Sequence, residues 1–127
     1  RSADWFGIHH LFYSKGCVDP FNPKVVQASM GSIIRVKLFP CELSEVAVKF
    51  QNIYASTTNG ISIAQQSLKE NSLICIGNEG HGLSEEIISN CTHEISIPGG
   101  QNTESLNASV AGSIFLFEIQ KLKKTLK

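Results

Sequence analysis

The chain has no cysteine pair at metal-binding or redox spacing: Cys17, Cys41, Cys75 and Cys91 stand far apart, and no C-x-x-C occurs. That pattern argues against a zinc site or a disulfide framework and for reduced thiols. The four histidines, His9, His10, His81 and His93, form no ligand cluster by spacing, so no metal is expected. No apolar run approaches the roughly 18 residues of a membrane span, and the start carries no signal-peptide pattern. A soluble, cytoplasmic protein with no membrane partner is therefore expected. There is also no excess of charge, since 11 Lys and Arg balance 11 Asp and Glu. A folded RNA ligand normally calls for a basic footprint, so an RNA surface here would be built by a partner chain or lie outside this segment. The one basic cluster, Lys121, Lys123, Lys124 and Lys127, reads as a solvated helix end with cations at the negative end of the dipole. Finally there is no initiator Met, and Arg1–Leu11 reads as the tail of a helix ending on Gly7 as its C′ residue, then a strand. A segment upstream of Arg1 is expected.

What the chain does have is a length of 127 residues, one domain by the length prior, able to bury roughly 65–70% of its unfolded surface. It also has two segments in which an apolar strand runs into a glycine-rich turn that opens a helix. The first is Leu73–Ser84 and the second Ile95–Ala111. In α/β proteins such junctions bind ligands, because the turns expose backbone N–H and C=O groups beyond the carboxyl ends of the strands. Strand-like runs at His10–Tyr13, Ile33–Leu38, Asn52–Ala55, Leu73–Ile76 and Glu94–Ile97 alternate with helical stretches at Asn22–Met30, Glu42–Phe50, Ser84–Asn90 and Leu106–Leu122. Ser56–Ser62 reads as a polar turn at a strand end. Asn22 is placed to cap a helix with Pro23 at its first position. The alternation implies an α/β fold: βαβ units, a mainly parallel sheet and helices on both faces.

The glycines of the first turn, Gly77, Gly80 and Gly82, follow G-x-x-G-x-G, which is neither the dinucleotide fingerprint nor a P-loop. The helix behind them starts Ser84-Glu85-Glu86, and two carboxylates there would repel a pyrophosphate. The turn suits a neutral or cationic ligand. Glu79 sits inside it, either as a carboxylate that accepts backbone N–H bonds to hold the loop or as a functional group. Ser105 and Asn107 are natural capping residues for the last helix. On that helix Ala111, Ile114, Phe115, Ile119 and Leu122 form an apolar stripe, read from periodicity as intramolecular core.

Gly77-Asn-Glu-Gly-His-Gly-Leu83 and Ile97-Pro-Gly-Gly-Gln-Asn-Thr-Glu-Ser-Leu-Asn-Ala-Ser-Val-Ala111 resemble the second and third motifs of the SpoU (TrmH-like) RNA 2′-O-ribose methyltransferases of the SPOUT class. Arg1-Ser-Ala-Asp-Trp-Phe-Gly7 resembles the end of that family's first motif, and Asp19–Ser32 its helix after the second strand. The resemblance covers essentially residues 1–127, read as the catalytic domain of such an enzyme without its upstream part or an added substrate-recognition domain. It implies a C-terminal trefoil knot, S-adenosyl-L-methionine as cofactor, a tRNA or rRNA substrate, and a homodimer through the C-terminal helix. Matched position by position, Gly77, Asn78, Gly82, Ile97 and Leu106 are implied cofactor contacts, and Thr57 and Thr58 more loosely so. Arg1, Glu79, Ser105 and Asn107 are implied to be catalytic or RNA-positioning groups. After Pro98 the family commonly carries an apolar residue, where this chain has Gly99-Gly100; that bears on substrate placement and not on the cofactor pocket.

Methyl transfer from a sulfonium to a ribose hydroxyl needs alignment, a route for the hydroxyl proton and no metal. An arginine is a poor base, so Arg1 is expected to orient phosphate and to stabilise developing alkoxide charge. Ser105 and Asn107 would position the ribose, with Glu79 holding the motif loop and Arg1 by a charge-assisted bond. The alternative is a catalytically inactive RNA-binding relative of the same fold. A dehydrogenase-like nucleotide enzyme is disfavoured by the glycine order and by Glu85-Glu86.

Overall fold

The computed structural model describes residues 1–100 and 105–125, with side chains as far as Lys121. The chain divides into two compact units, Arg1–Val46 and Ala47–Lys127.

In the first unit, α1 (Ser2–Trp5) stops where the sequence expects it to. Gly7 takes φ +68°, its N–H donates to Asp4 O at 3.1 Å, and the Ile8 N–H donates to Ala3 O at 2.8 Å. This is a Schellman closure, which requires a left-handed C′ residue. β1 (His10–Tyr13) follows, then α2 (Pro23–Ser29), whose Asn22 cap accepts the Lys24 N–H at 3.0 Å. The strand expected over Ile33–Leu38 is displaced. Ser32–Ile34 is a turn of 3₁₀ helix, and β2 runs Lys37–Pro40. β-Branched Ile33 and Ile34 imitate a strand, but Gly31 at φ +81° turns the chain into the 3₁₀ turn and the Ser32 hydroxyl is tied to the Asp4 carboxylate at 2.8 Å. β1 and β2 pair in parallel, from His10 with Lys37 to Tyr13 with Pro40. α3 is shorter than expected, at Leu43–Ala47.

The second unit holds β3 (Asn52–Ser62), β4 (Ser72–Cys75), α4 (Glu85–Ser89), β5 (His93–Ser96) and α5 (Ala108–Thr125). Its three strands are parallel in the order β4-β3-β5. The expected polar turn at Ser56–Ser62 is instead the second half of β3. Ile95 pairs with both Ser56 and Ile61, so the ladder resumes after an irregularity. Local polarity suggested a turn there, but the backbone of β5 continues to satisfy the strand on both sides of the excursion. Gly60 makes this possible, because a Cβ there would lie 2.5 Å from Ile95 N.

The core of this unit is Tyr54, Leu68, Ile95, Ala111 and Phe115, with Ile63, Ile74, Ile97 and Ile119 packed around it. Tyr54 and Ile95 are fully buried and Phe115 nearly so. The Tyr54 hydroxyl accepts the Lys69 N–H at 3.3 Å, and its ring stacks on His93. Because the strands are parallel, the loops leaving β4 and β5 emerge at the carboxyl end of the sheet, and each leads into one of the glycine-rich segments.

Candidate functional site

β4 delivers the chain to a five-residue loop that closes on itself. The Asn78 N–H donates to Gly82 O at 3.1 Å and the Gly82 N–H donates to Asn78 O at 2.8 Å. Asn78 Oδ1 also accepts the Gly80 N–H at 2.8 Å, an Asx turn inside the loop. Gly82 has φ +67°. A Cβ on Gly77 would run into the backbone of Gly82 and Leu83. Glycine is therefore demanded at Gly77 by the loop's own closure. α4 starts immediately behind, where Ser84 Oγ accepts the Ile87 N–H at 3.3 Å and Glu85 and Glu86 occupy the first turn.

The tightened loop presents Glu79 to the start of α5. Its Oε1 accepts from the Asn107 side-chain amide and from the Ala108 N–H at 3.2 Å. Asn107 Oδ1 in turn accepts the N–H groups of Ser109 at 3.0 Å and Val110 at 3.3 Å. The first three helical amides are thus satisfied by two side chains, with a carboxylate at the positive end of the helix dipole. Glu79 and Asn107, 28 positions apart in the sequence, form one unit. Glu79 holds the backbone of α5 and not, as expected, Arg1, which makes no ion pair among the described residues; Glu79 and Asn107 both remain exposed. Ser105 and Leu106 lie on the exposed approach to α5, which begins at Ala108, two residues later than expected. Ile97, half-buried, leaves β5 and packs on the core. The third-motif residues Gln101, Asn102, Thr103 and Glu104 lie outside the described residues.

Thr57 and Thr58 fall in the irregular stretch of β3. Thr57 Oγ1 donates to Glu94 Oε2 at 3.1 Å, and Thr58 is exposed. Glu94 went unnoticed in the sequence because it reads as the outward residue of a strand. Ile76 was likewise read only as a strand residue, yet it is 39% exposed and Leu106 is 45% exposed. At the loop ends of β4 and of the α5 approach they supply apolar surface beside backbone donors and acceptors. Glu85 and Glu86 in the first turn of α4 favour a neutral or cationic ligand over a phosphate.

In the first unit Arg1 precedes α1, is exposed and makes no ion pair among the described residues. Asp4 accepts from Arg35 Nε at 2.8 Å and pairs with its Nη2 at 2.6 Å. This hydrogen-bonded guanidinium, with the Ser32 hydroxyl second, holds the Asp4 carboxyl below its ordinary pKa. Nothing local in the sequence signals a pair 31 residues apart.

Among the described residues no group of His, Cys, Asp and Glu could hold a metal. No described helix is long and apolar enough to cross a membrane. Burial pushes the Cys91 thiol pKa up, and the thiol donates to Ile87 O at 3.2 Å.

The model of the SpoU rRNA Methylase family matches residues 1–117. The chain is 27% identical over 129 residues to the 23S rRNA (uridine(2479)-2'-O)-methyltransferase of Streptomyces viridochromogenes, covering 93% of this chain and 45% of that protein. It is similar to the structure of a TrmH-family protein from Porphyromonas gingivalis, with 36% identity and TM-score 0.83, covering 93% of this chain and 51% of that one. It is also similar to the SpoU methyltransferase AviRb of Streptomyces viridochromogenes in complex with AdoMet, with 27% identity and TM-score 0.87 over 98% of this chain and 53% of that one. The chain spans about half the length of the curated relatives it matches.

Proposed function

The chain belongs to the SpoU rRNA methylase family, and from that premise we propose that it is the catalytic domain of an S-adenosyl-L-methionine-dependent methyltransferase that methylates a ribose 2′-hydroxyl of tRNA or rRNA. The observation that carries the reading is the Glu79–Asn107 lock, by which the Gly77–Gly82 loop is fastened to the start of α5. The lock joins the two motif segments, so backbone groups of the loop, of Ile97 and of Leu106 can be positioned together for a cofactor.

When bound, S-adenosyl-L-methionine supplies an electrophilic methyl group on a sulfonium. Gly77, Asn78, Gly82, Ile97 and Leu106 would hold it, mainly through main-chain groups and apolar contact, with Thr57 and Thr58 as candidate contacts from β3. Arg1 is proposed to orient the RNA phosphate and to favour the ionised hydroxyl, since a guanidinium serves poorly as a base. Ser105 is proposed to hydrogen-bond the ribose. Asn107 spends both ends of its amide on Glu79 and the α5 backbone, so we assign it first to positioning.

The reading includes a cytoplasmic location, the C-terminal knot and a homodimer through α5. Ala111 and Phe115 face the core, whereas Val110 and Phe117 are 46% and 54% exposed. Val110 and Phe117, seven residues apart, lie on one side of α5 away from the core stripe. That outer face, rather than the Ala111–Leu122 stripe, is the surface proposed to meet the second copy; the Leu122 side chain lies outside those described.

Calorimetric titration with S-adenosylhomocysteine, using NADH as a control, tests the cofactor class. Saturable binding of the former alone, lost in Leu106→Glu, is the expected result, and NADH binding would overturn it. Methyl transfer to an RNA pool then separates an enzyme from an inactive RNA-binding relative.

A further inference from the structure

The first unit contains a cleft of about 590 Å³ around Arg1 whose aromatic and apolar lining the catalytic reading does not use. Trp5, Phe6 and Met30 line it together with Arg1, Asp4 and Arg35. Trp5 is 84% exposed, a large indole left in water where soluble proteins normally cover one. It stands four residues after Arg1, with the Trp5 N–H bonded to Arg1 O at 3.0 Å, so the two side chains share a helical face. Met30, 68% exposed, is the left-handed C-cap of α2 and adds apolar surface to the lining. The charges in the cleft are not equivalent. Arg35 is cancelled by Asp4 at 2.6 Å, which leaves Arg1 as the positive charge without a described ion-pair partner.

An exposed aromatic plane beside one uncancelled guanidinium matches the two halves of a nucleotide, a flat base and one phosphate. We propose that this cleft holds one unpaired ribonucleotide of the RNA, its base stacked on Trp5 and its phosphate against Arg1, so that Trp5 contributes to choosing which nucleotide is presented. The proposal rests on the RNA-methyltransferase reading. It also accounts for RNA binding by a chain of zero net charge, because stacking requires no broad basic footprint.

Trp5 is the chain's single tryptophan, so its emission reports the cleft directly. The full chain is titrated with single-stranded RNA tetranucleotides of each base while tryptophan emission is followed, and binding of the same oligonucleotides carrying a fluorophore is measured by anisotropy. Saturable quenching is expected. Trp5→Ala should weaken binding about tenfold or more, and Trp5→Phe should recover most of it. The salt dependence should be shallow, with a log–log slope of about −0.7 for one phosphate. S-adenosylhomocysteine binding by Trp5→Ala checks that the second unit remains intact. RNA binding with unchanged emission, an unaltered Trp5→Ala affinity, or no RNA binding at all would overturn the proposal. So would emission that depends on protein concentration and not on RNA, since a second copy would then be the occupant. Quenching without methyl transfer would sink the enzymatic reading and leave this site standing; methyl transfer with an indifferent Trp5 would do the reverse.

Discussion

Gly77 and Gly82 limit what the motif loop can tolerate, for different reasons. At Gly82 the constraint is conformational: φ is +67° but nothing lies within 4 Å of a built Cβ. Gly82→Ala should therefore cost only the left-handed backbone penalty, about 1–2 kcal/mol. Gly77 has no such room, and Gly77→Ala must open the Asn78–Gly82 closure. We expect Gly77→Ala to abolish S-adenosylhomocysteine binding and Gly82→Ala to weaken it, as read by calorimetry; equal affinities would contradict the distinction. Asp4 gives a pH signature. Its folded pKa lies below the ordinary 3.8 because Arg35 and Ser32 stabilise the carboxylate, so its contribution is present above that value and is lost as pH falls through the folded pKa. Urea unfolding of Asp4→Asn should show a stability deficit at neutral pH that shrinks toward zero in acid. A gap independent of pH would remove the ion pair as its cause. Glycine spacing was visible in the sequence, whereas the Asp4–Arg35 pair was not, because its partners are neighbours only after folding.

The helix caps were legible because capping is local. Asn22 before Pro23, Ser84 before Glu85 and Gly7 after α1 all act within four residues. Strand limits depend on partners and were less legible. Ile33 and Ile34 looked like strand and became a 3₁₀ turn, while Ser56–Ser62 looked like turn and became the second half of β3, paired with β5 on either side of the Thr57 and Thr58 excursion. The start of α5 is an intermediate case. Asn107 as a cap was readable, but Glu79 as a second cap was not, since it reaches across from another loop. Removing either should cost about 1 kcal/mol, the usual value of a lost N-cap. In a double-mutant cycle of Glu79→Gln and Asn107→Ala the losses should fall short of additive, because both act on one set of amides. Strict additivity in denaturant melts would show the lock to be two independent contacts. Phe115, nearly fully buried, should cost about 3–5 kcal/mol as Phe115→Ala.

At the scale of the molecule, α5 carries two apolar faces with different tasks. Periodicity drew attention to Ala111, Phe115 and Ile119, and the core of the second unit takes them. The proposed dimer is left with the side of α5 that carries Val110 and Phe117. A Val110→Lys variant should sediment as a folded monomer where the parent sediments as a dimer, with thermal stability at low concentration little changed. A large loss of monomer stability would return that face to the core. The sequence by itself determined the α/β class, the parallel pairing implied by alternation, the caps and the two motif segments, because these rest on periodicity and short-range hydrogen bonding. Only the tertiary structure decided where β3 ends, that the sheet is divided between two units, which side of α5 is buried, and that Glu79 closes onto Asn107. Those outcomes depend on which backbone groups, charges and apolar faces become neighbours across tens of residues, and no local pattern records that.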